Sequence, residues 1–149
     1  MSKDKTMLQI KKEGIVLEKR DLGFEREGVL NPAVFFEAGR IHLFYRAVGK
    51  GNYSTIGYCT MDSNQELKSR LDLPLIYPQF DYEKQGVEDP RIVKIEEMYY
   101  LTYTAFDGVN ALGCLAVSTD LIHFEKKGII VPTITFTQFN ELTNDENSS

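Results

Sequence analysis

Short runs of β-forming apolar and aromatic residues, separated by breaks rich in glycine, proline and charge, follow one another along most of this chain. Val34-Phe35-Phe36 ends at the turn Glu37-Ala38-Gly39-Arg40, and Ile41 to Arg46 ends at Gly49-Lys50-Gly51-Asn52. Thr55 to Thr60 and Leu75-Ile76-Tyr77, closed by Pro78, complete a first set. Gly14-Ile15-Val16-Leu17 is a further short run standing alone, and residues 18–30 read as a charged, glycine-punctuated loop. No run keeps the 3.6-residue period of a long amphipathic helix, so the pattern predicts an all-β protein. Segments 41–46 and 99–104 are apolar or aromatic on both alternating faces, which suits strands covered on both sides.

The second half repeats the first. With Pro32 set on Pro90, Asn31 meets Asp89, Val34 meets Ile92, Leu43 meets Leu101, Tyr45 meets Tyr103 and Ala47 meets Ala105. With small length changes Gly57 then meets Gly113, and Leu75-Ile76-Tyr77-Pro78 meets Ile129-Ile130-Val131-Pro132; residues 14–17 resemble a third copy of this last element. A period of roughly 54–58 residues with four strands per unit is near the range of propeller blades. The expectation is a β-propeller arrangement of two four-stranded blades over residues 14–132, with a stray outer strand at 14–17. A charged leader at 1–13 precedes it, and a short polar tail at 133–149 follows, with one helical turn at Thr137-Gln138-Phe139-Asn140-Glu141-Leu142. Two blades are too few for a ring of typically about four to eight, so the set is incomplete and its blade faces and edges are expected to self-associate.

The repeat also selects candidate chemistry. The first strand of a propeller blade lies nearest the axis, so the residues just before Val34 and Ile92 ring one mouth of the central channel. Asn31 and Asp89 occupy equivalent places on that ring, and a concave polar mouth with a carboxylate is a plausible substrate site. The plainer reading is that Asn-Pro and Asp-Pro only begin turns. Glu88 and Asp89 are adjacent and point to opposite sides in extended chain, with Arg91 as the local ion partner for Glu88; the plainer reading there is a surface ion cluster of small value. Arg46 ends its strand where the second repeat carries Thr104, and either binds sugar hydroxyls or an oxyanion, or reaches to solvent. His42 reads as a packed blade residue, Asp107-Gly108 as a turn, and the pairs Phe35-Phe36 and Tyr99-Tyr100 as packing between blades. Asn31 carries no acidic proton, which singles out Asp89 over Glu88 as the acid.

Composition narrows the partners. The chain has 149 residues and a net charge of −5, which argues against a nucleic-acid partner. The polar N-terminus has no apolar run after it and no segment is apolar enough to cross a membrane as a helix, so a cytoplasmic, membrane-free location is expected. Two cysteines, Cys59 and Cys114, carry no metal-type spacing and are expected as free, mostly buried thiols.

Asn31-Pro32-Ala33, Leu43-Phe44-Tyr45-Arg46-Ala47, Gly86-Val87-Glu88-Asp89-Pro90-Arg91 and Tyr103-Thr104-Ala105-Phe106-Asp107-Gly108, with their spacing, resemble glycoside hydrolase family 130, the β-mannoside phosphorylases and related hydrolases. The resemblance covers roughly residues 14 to 132 and implies a five-bladed β-propeller with the active site at the channel mouth. It implies that Asp89 is the general acid and that Asn31 and Arg46 help hold the sugar; Glu88 and Arg91, in the same motif, are further candidate substrate-binding residues. The implied chemistry is inverting, on a β-mannoside oligosaccharide. Inorganic phosphate is the co-substrate in phosphorylases and water the nucleophile in hydrolases, with no cofactor or metal. The chain is less than half the length the family needs, and nothing in it matches the phosphate-holding residues or the hydrolases' base. Little activity is therefore expected from it alone; a non-catalytic carbohydrate-binding or self-associating piece is the alternative, and a related furanosidase-type propeller would keep the fold and change the sugar.

Overall fold

The computed structural model describes residues 10–12, 14–131 and 137. These form two antiparallel four-stranded meanders. The first comprises β1 (Gly28–Glu37), β2 (Arg40–Gly49), β3 (Tyr53–Asp62) and β4 (Leu67–Arg70). The second comprises β5 (Gly86–Ile95), β6 (Met98–Phe106), β7 (Ala111–Ser118) and β8 (Glu125–Ile129). A single parallel bridge, Ser54 to Gly86, links them. The fold is all-β and open, and each meander has the form of a propeller blade. Among the described residues no helix is long and apolar enough to cross a membrane.

The two blades stack face to face. Phe44, Ile56 and Tyr58 of the first pack against Leu101, Tyr103 and Ala105 of the second, with Val87, Cys114 and Ala116 in the same layer. Complete burial of side chains such as Phe44 and Leu101 contributes about 1.5–3 kcal/mol each. Phe35 meets Tyr99 edge-on across the blades, with ring centroids 5.5 Å apart. On its other face the first blade carries Leu43, Tyr45, Ala47, Cys59 and Met61, covered in part by Leu17 and Phe24.

One arrangement occurs once per blade and is not visible in the apolar pattern. Glu83, fully buried in the 3₁₀ turn Asp81–Glu83, accepts a hydrogen bond from the Tyr103 hydroxyl (2.7 Å) and pairs with the Lys126 ammonium (2.6 Å). Glu25, also fully buried, accepts from the Tyr45 hydroxyl (2.9 Å) and pairs with Arg70 (2.8 Å) and with Arg20. Glu25 and Glu83 have the same separation as Pro32 and Pro90. The motif therefore belongs to the repeat, and extending the alignment upstream of the prolines would find it. Burial, reinforced by the carboxylate, pushes the Tyr103 hydroxyl far above its ordinary pKa, and burial pulls the Lys126 ammonium down against the opposing pull of Glu83.

Several sequence expectations need correction. Strands β1 and β5 begin at Gly28 and Gly86, upstream of the prolines, so the Asn-Pro and Asp-Pro steps lie inside strands. Residues 14–17 form no strand; no ladder partner faces them among the described residues, and an unpaired strand has no hydrogen bonds to hold it. The outer strand of the first blade is β4, at Leu67–Arg70, and residues 75–77 contribute only the bridge of Ile76 to Ile56. Pro74, which has no amide hydrogen, lies between the two pieces. Beyond β2 and β6 the sequence alignment of the two halves is one residue out. Tyr45 pairs with Gly57 but Tyr103 pairs with Cys114, so Gly57 corresponds to Cys114 and Gly113 to Ile56. In a strand such a slip exchanges the two faces. Gly57 is required where it stands, because a Cβ there would lie 2.3 Å from the Tyr45 ring. The leader at 1–13 and the expected helical turn at 137–142 lie almost wholly outside the described residues.

Replacing Glu83 by Ala would leave Lys126 charged in a buried site and the Tyr103 hydroxyl without its acceptor. The expected loss in urea unfolding is about 3–5 kcal/mol, against less than about 0.5 kcal/mol for the exposed control Glu97→Ala. Both cysteines are fully buried, and burial pushes the Cys59 thiol up to about 11 and raises that of Cys114. At pH 8 a thiol reagent should therefore label neither in the native protein and both in denaturant; native labelling of either would contradict this packing.

Candidate active site

The site is built on two equivalent bulges. In β1 the pairing with β2 jumps from Leu30–Arg46 to Ala33–Phe44, so Asn31 and Pro32 stand opposite Tyr45 alone. In β5 the jump runs from Glu88–Thr104 to Arg91–Thr102, leaving Asp89 and Pro90 opposite Tyr103. An extra residue lets proline's missing donor fall where the ladder is already interrupted. Asn31 and Asp89 take φ values of 47° and 49°, in the left-handed region that asparagine and aspartate tolerate better than other side-chain-bearing residues. Each bulge rests on the tyrosine whose hydroxyl is tied to the buried glutamate beneath.

This geometry brings four of the five sequence-selected residues together. Asn31 Nδ2 donates to Asp89 Oδ1 at 2.7 Å, across the blade boundary. Arg46 Nη2 lies 2.7 Å from Glu88 Oε1, and Arg46 Nη1 lies 3.7 Å from Asp89 Oδ1. Arg46 Nε donates to the hydroxyl of the fully buried Ser54 at 2.9 Å. Ser54 in turn forms the bridge to Gly86, where a Cβ would lie 2.9 Å from both the Cβ and the backbone nitrogen of Ser54. Glycine at 86 is thus what lets the blades approach at this end. The Arg46 and Glu88 side chains are 15% and 14% exposed, whereas Asp89 is 39% exposed and opens to solvent.

Two expectations change. Glu88 and Asp89 do not diverge to opposite sides: the left-handed turn at Asp89 lets both carboxylates approach one guanidinium. Arg91 does not pair with Glu88. It is exposed beyond the bulge, where its Nη1 donates to the Pro90 carbonyl at 2.7 Å, and Arg46 from the neighbouring blade takes the role of partner. Nor does Arg46 reach to solvent. Asp89 Oδ1 is occupied by Asn31 and Arg46, while Oδ2 has no hydrogen-bond partner among the described residues and is free for a ligand. His42 is a packing residue, as expected: its Nδ1 contacts the Tyr58 hydroxyl at 2.7 Å and burial lowers its pKa. Asp107 caps its turn through the amides of Val109 and Asn110, and the Asn110 contacts hold its carboxyl down at about 2.

Two blade-like meanders meet at a pair of bulges that carry Asn31 and Asp89, and comparison with known proteins gives the class. The family described as beta-1,4-mannooligosaccharide phosphorylase matches residues 9–148, and the chain belongs to that family, glycoside hydrolase family 130. It is 35% identical over 129 residues to a 1,2-beta-oligomannan phosphorylase of Thermoanaerobacter sp. (strain X514), covering 78% of this chain and 43% of that protein. Its fold is similar to the crystal structure of a putative glycoside hydrolase from Bacteroides ovatus ATCC 8483, with a TM-score of 0.71 and 29% identity over 85% of this chain and 42% of that one. A structure described with family 130 glycoside hydrolases that target beta-1,2 mannosidic linkages in Candida mannan matches at a TM-score of 0.67 and 30% identity, over 76% and 38% of the two chains. The chain spans about two fifths of the length of these relatives.

The Arg46–Glu88 pair crosses the blade boundary in a half-buried setting. Arg46→Ala should cost about 1.5–3 kcal/mol in urea unfolding, the usual loss for a hydrogen bond to a charged group. A double-mutant cycle with Glu88→Gln should return a coupling above about 0.5 kcal/mol; additive losses would mean that the pair does not join the blades.

Proposed function

We propose that these two blades carry the acid side of an inverting β-mannoside site, that of a phosphorylase acting on β-1,2-linked mannose. The observation that supports this reading is the hydrogen bond from Asn31 to Asp89 Oδ1, which orients the carboxyl and leaves Oδ2 without a hydrogen-bond partner among the described residues. In the proposed reaction, phosphate oxygen bonds to the anomeric carbon as the glycosidic C–O bond breaks. The electron pair of that bond goes to the leaving sugar's oxygen, and the Asp89 proton reaches it through a hydroxyl of the bound mannose. Inversion of the β-linkage yields α-mannose 1-phosphate and the shortened oligosaccharide. Arg46, held by Glu88 and Ser54, fixes Asp89 from behind, and in this reading its guanidinium also meets a hydroxyl of the bound mannose.

The linkage is taken from the Thermoanaerobacter relative, and phosphorolysis from both that relative and the family description. A hydrolase would use the same acid with water in place of phosphate. Arg46, the cation beside Asp89, is already paired with Glu88, so the groups that hold phosphate come from further blades that complete the family's five-bladed ring. The alternative, a carbohydrate-binding piece without catalysis, shares the sugar contacts and lacks the turnover.

Asparagine tolerates the left-handed φ as well as aspartate does, so Asp89→Asn keeps the bulge and removes the proton. In the protein carrying the complete ring, this change should cut kcat for phosphate-dependent release of mannose 1-phosphate from β-1,2-mannobiose by about 10²–10⁴-fold, with little change in disaccharide binding. Undiminished turnover would remove Asp89 from the role of acid.

A further inference from the structure

Arg46 and Glu88 stand where the repeat does not require them. The position equivalent to Arg46 in the second blade is Thr104, and the position equivalent to Glu88 in the first is Leu30. Leu30 is the ladder partner of Arg46, and Thr104 that of Glu88, so neither charge faces its opposite across its own ladder. The pair forms across the blade boundary, where Arg46 Nη2 meets Glu88 Oε1 at 2.7 Å, with both side chains largely out of water. An ion pair so placed does little better than apolar groups of the same size, because desolvation offsets most of the attraction. Stability alone is therefore a weak reason for a carboxylate at position 88.

Asp89 gives a stronger one. Its Oδ1 lies 3.7 Å from Arg46 Nη1, close enough for an ion pair and too far for a hydrogen bond. A guanidinium that closes on a carboxyl with two parallel hydrogen bonds favours the charged form, and a carboxylate has no proton to give. A general acid beside an arginine therefore needs that arginine held off. Here the guanidinium is anchored at two of its three nitrogens, Nη2 by Glu88 and Nε by the hydroxyl of the fully buried Ser54. Ser54 is itself tied by its bridge to Gly86, two residues before Glu88. With both anchors in place Nη1 stops short of Asp89, whose Oδ1 takes the Asn31 amide at 2.7 Å. Glu88 is also the more deeply set of the two adjacent carboxylates.

We infer that Glu88 is a positioning residue for the acid: it holds the Arg46 guanidinium away from Asp89 and does not itself touch the sugar. The inference rests on the proposed role of Asp89 and gives the second carboxylate of the Glu88-Asp89 step a task that runs through Arg46. Without the Glu88 charge, the two terminal nitrogens of Arg46 close on Asp89 and compete with the Asn31 amide for Oδ1. The carboxyl is then held in its charged form and turned from its working orientation. Arg46 serves the site only while Glu88 shares it.

The test measures kcat and KM in the protein carrying the complete ring, for phosphate-dependent release of mannose 1-phosphate from β-1,2-mannobiose. The variants are Glu88→Gln, Arg46→Gln, the two combined, and Asp89→Asn, with circular dichroism to confirm each fold. Glu88→Gln should lower kcat by about 10²-fold, the cost of a small misplacement at the reacting centre, with KM little changed. The combined variant should be no slower than Arg46→Gln alone to within about twofold, because Glu88 acts through Arg46. That comparison stands even where Glu88→Gln alone folds poorly, since the combined variant leaves neither charge unpaired. A crystal structure of Glu88→Gln should show Arg46 hydrogen-bonded to Asp89. An unchanged kcat in Glu88→Gln overturns the inference, as does an Arg46 that keeps its place in that structure. A rise in KM as the main effect, or losses at 46 and 88 that multiply, also overturns it, because Glu88 then meets the sugar itself. Asp89→Asn separates this inference from the reading beneath it. Turnover lost in Asp89→Asn and kept in Glu88→Gln removes only the role of Glu88; turnover kept in Asp89→Asn removes the acid and its positioning residue together.

Discussion

The structure depends on a buried carboxylate placed under each blade. Glu25 and Glu83 lie in otherwise apolar layers, and each is tolerated because a tyrosine hydroxyl and a cation satisfy it. A charge removed from water without such partners is costly enough to unfold a small domain. The two tyrosines that reach these carboxylates, Tyr45 and Tyr103, stand opposite the bulged Asn-Pro and Asp-Pro steps. Fixing the tyrosine fixes the strand partner of the bulge, and a backbone conformation costing about 1–3 kcal/mol is held by packing beneath it.

The candidate site follows from this constraint. A left-handed residue at the same point in consecutive blades turns two side chains toward one another, and the choice of Asn in one and Asp in the other makes a hydrogen bond where two aspartates would repel. Arg46 then closes the cluster from the neighbouring strand, anchored on Glu88 and Ser54, and Gly86 lets the two backbones meet. The result is a carboxyl with one oxygen held by Asn31 and Arg46 and the other without a hydrogen-bond partner among the described residues, at the position the proposed function assigns to the acid.

Much of this is legible in the chain. The alternation of β-forming runs and breaks identifies the strands, and the Pro32/Pro90 repeat identifies the blades and the equivalence of Asn31 with Asp89. What stays hidden comes from positions where local pattern and tertiary pairing disagree. A bulge is invisible to a period-two reading, which begins the strands at the prolines instead of at Gly28 and Gly86 and sends Glu88 and Asp89 to opposite sides. The residue nearest in sequence to Glu88 with the right charge is Arg91, but its partner is Arg46 of the adjacent blade, a long-range choice that no spacing encodes. Gly57 aligns with Gly113 because they are the same residue, although Gly57 is glycine to admit the Tyr45 ring and Gly113 stands on the opposite face. Glu25 and Glu83 read as ordinary loop charges because burial, and not residue type, makes them structural.

The central claim is that the paired bulges aim the free oxygen of Asp89 at a bound mannoside. A crystal structure of the protein with β-1,2-mannobiose bound tests it most directly. The account predicts Asp89 Oδ2 within hydrogen-bonding distance of a hydroxyl on the mannose whose glycosidic bond breaks, with the Asn31 amide still on Oδ1 and Asp89 still left-handed. A disaccharide bound away from the bulges, or an Asp89 whose open oxygen turns from the sugar to a protein partner, would contradict it.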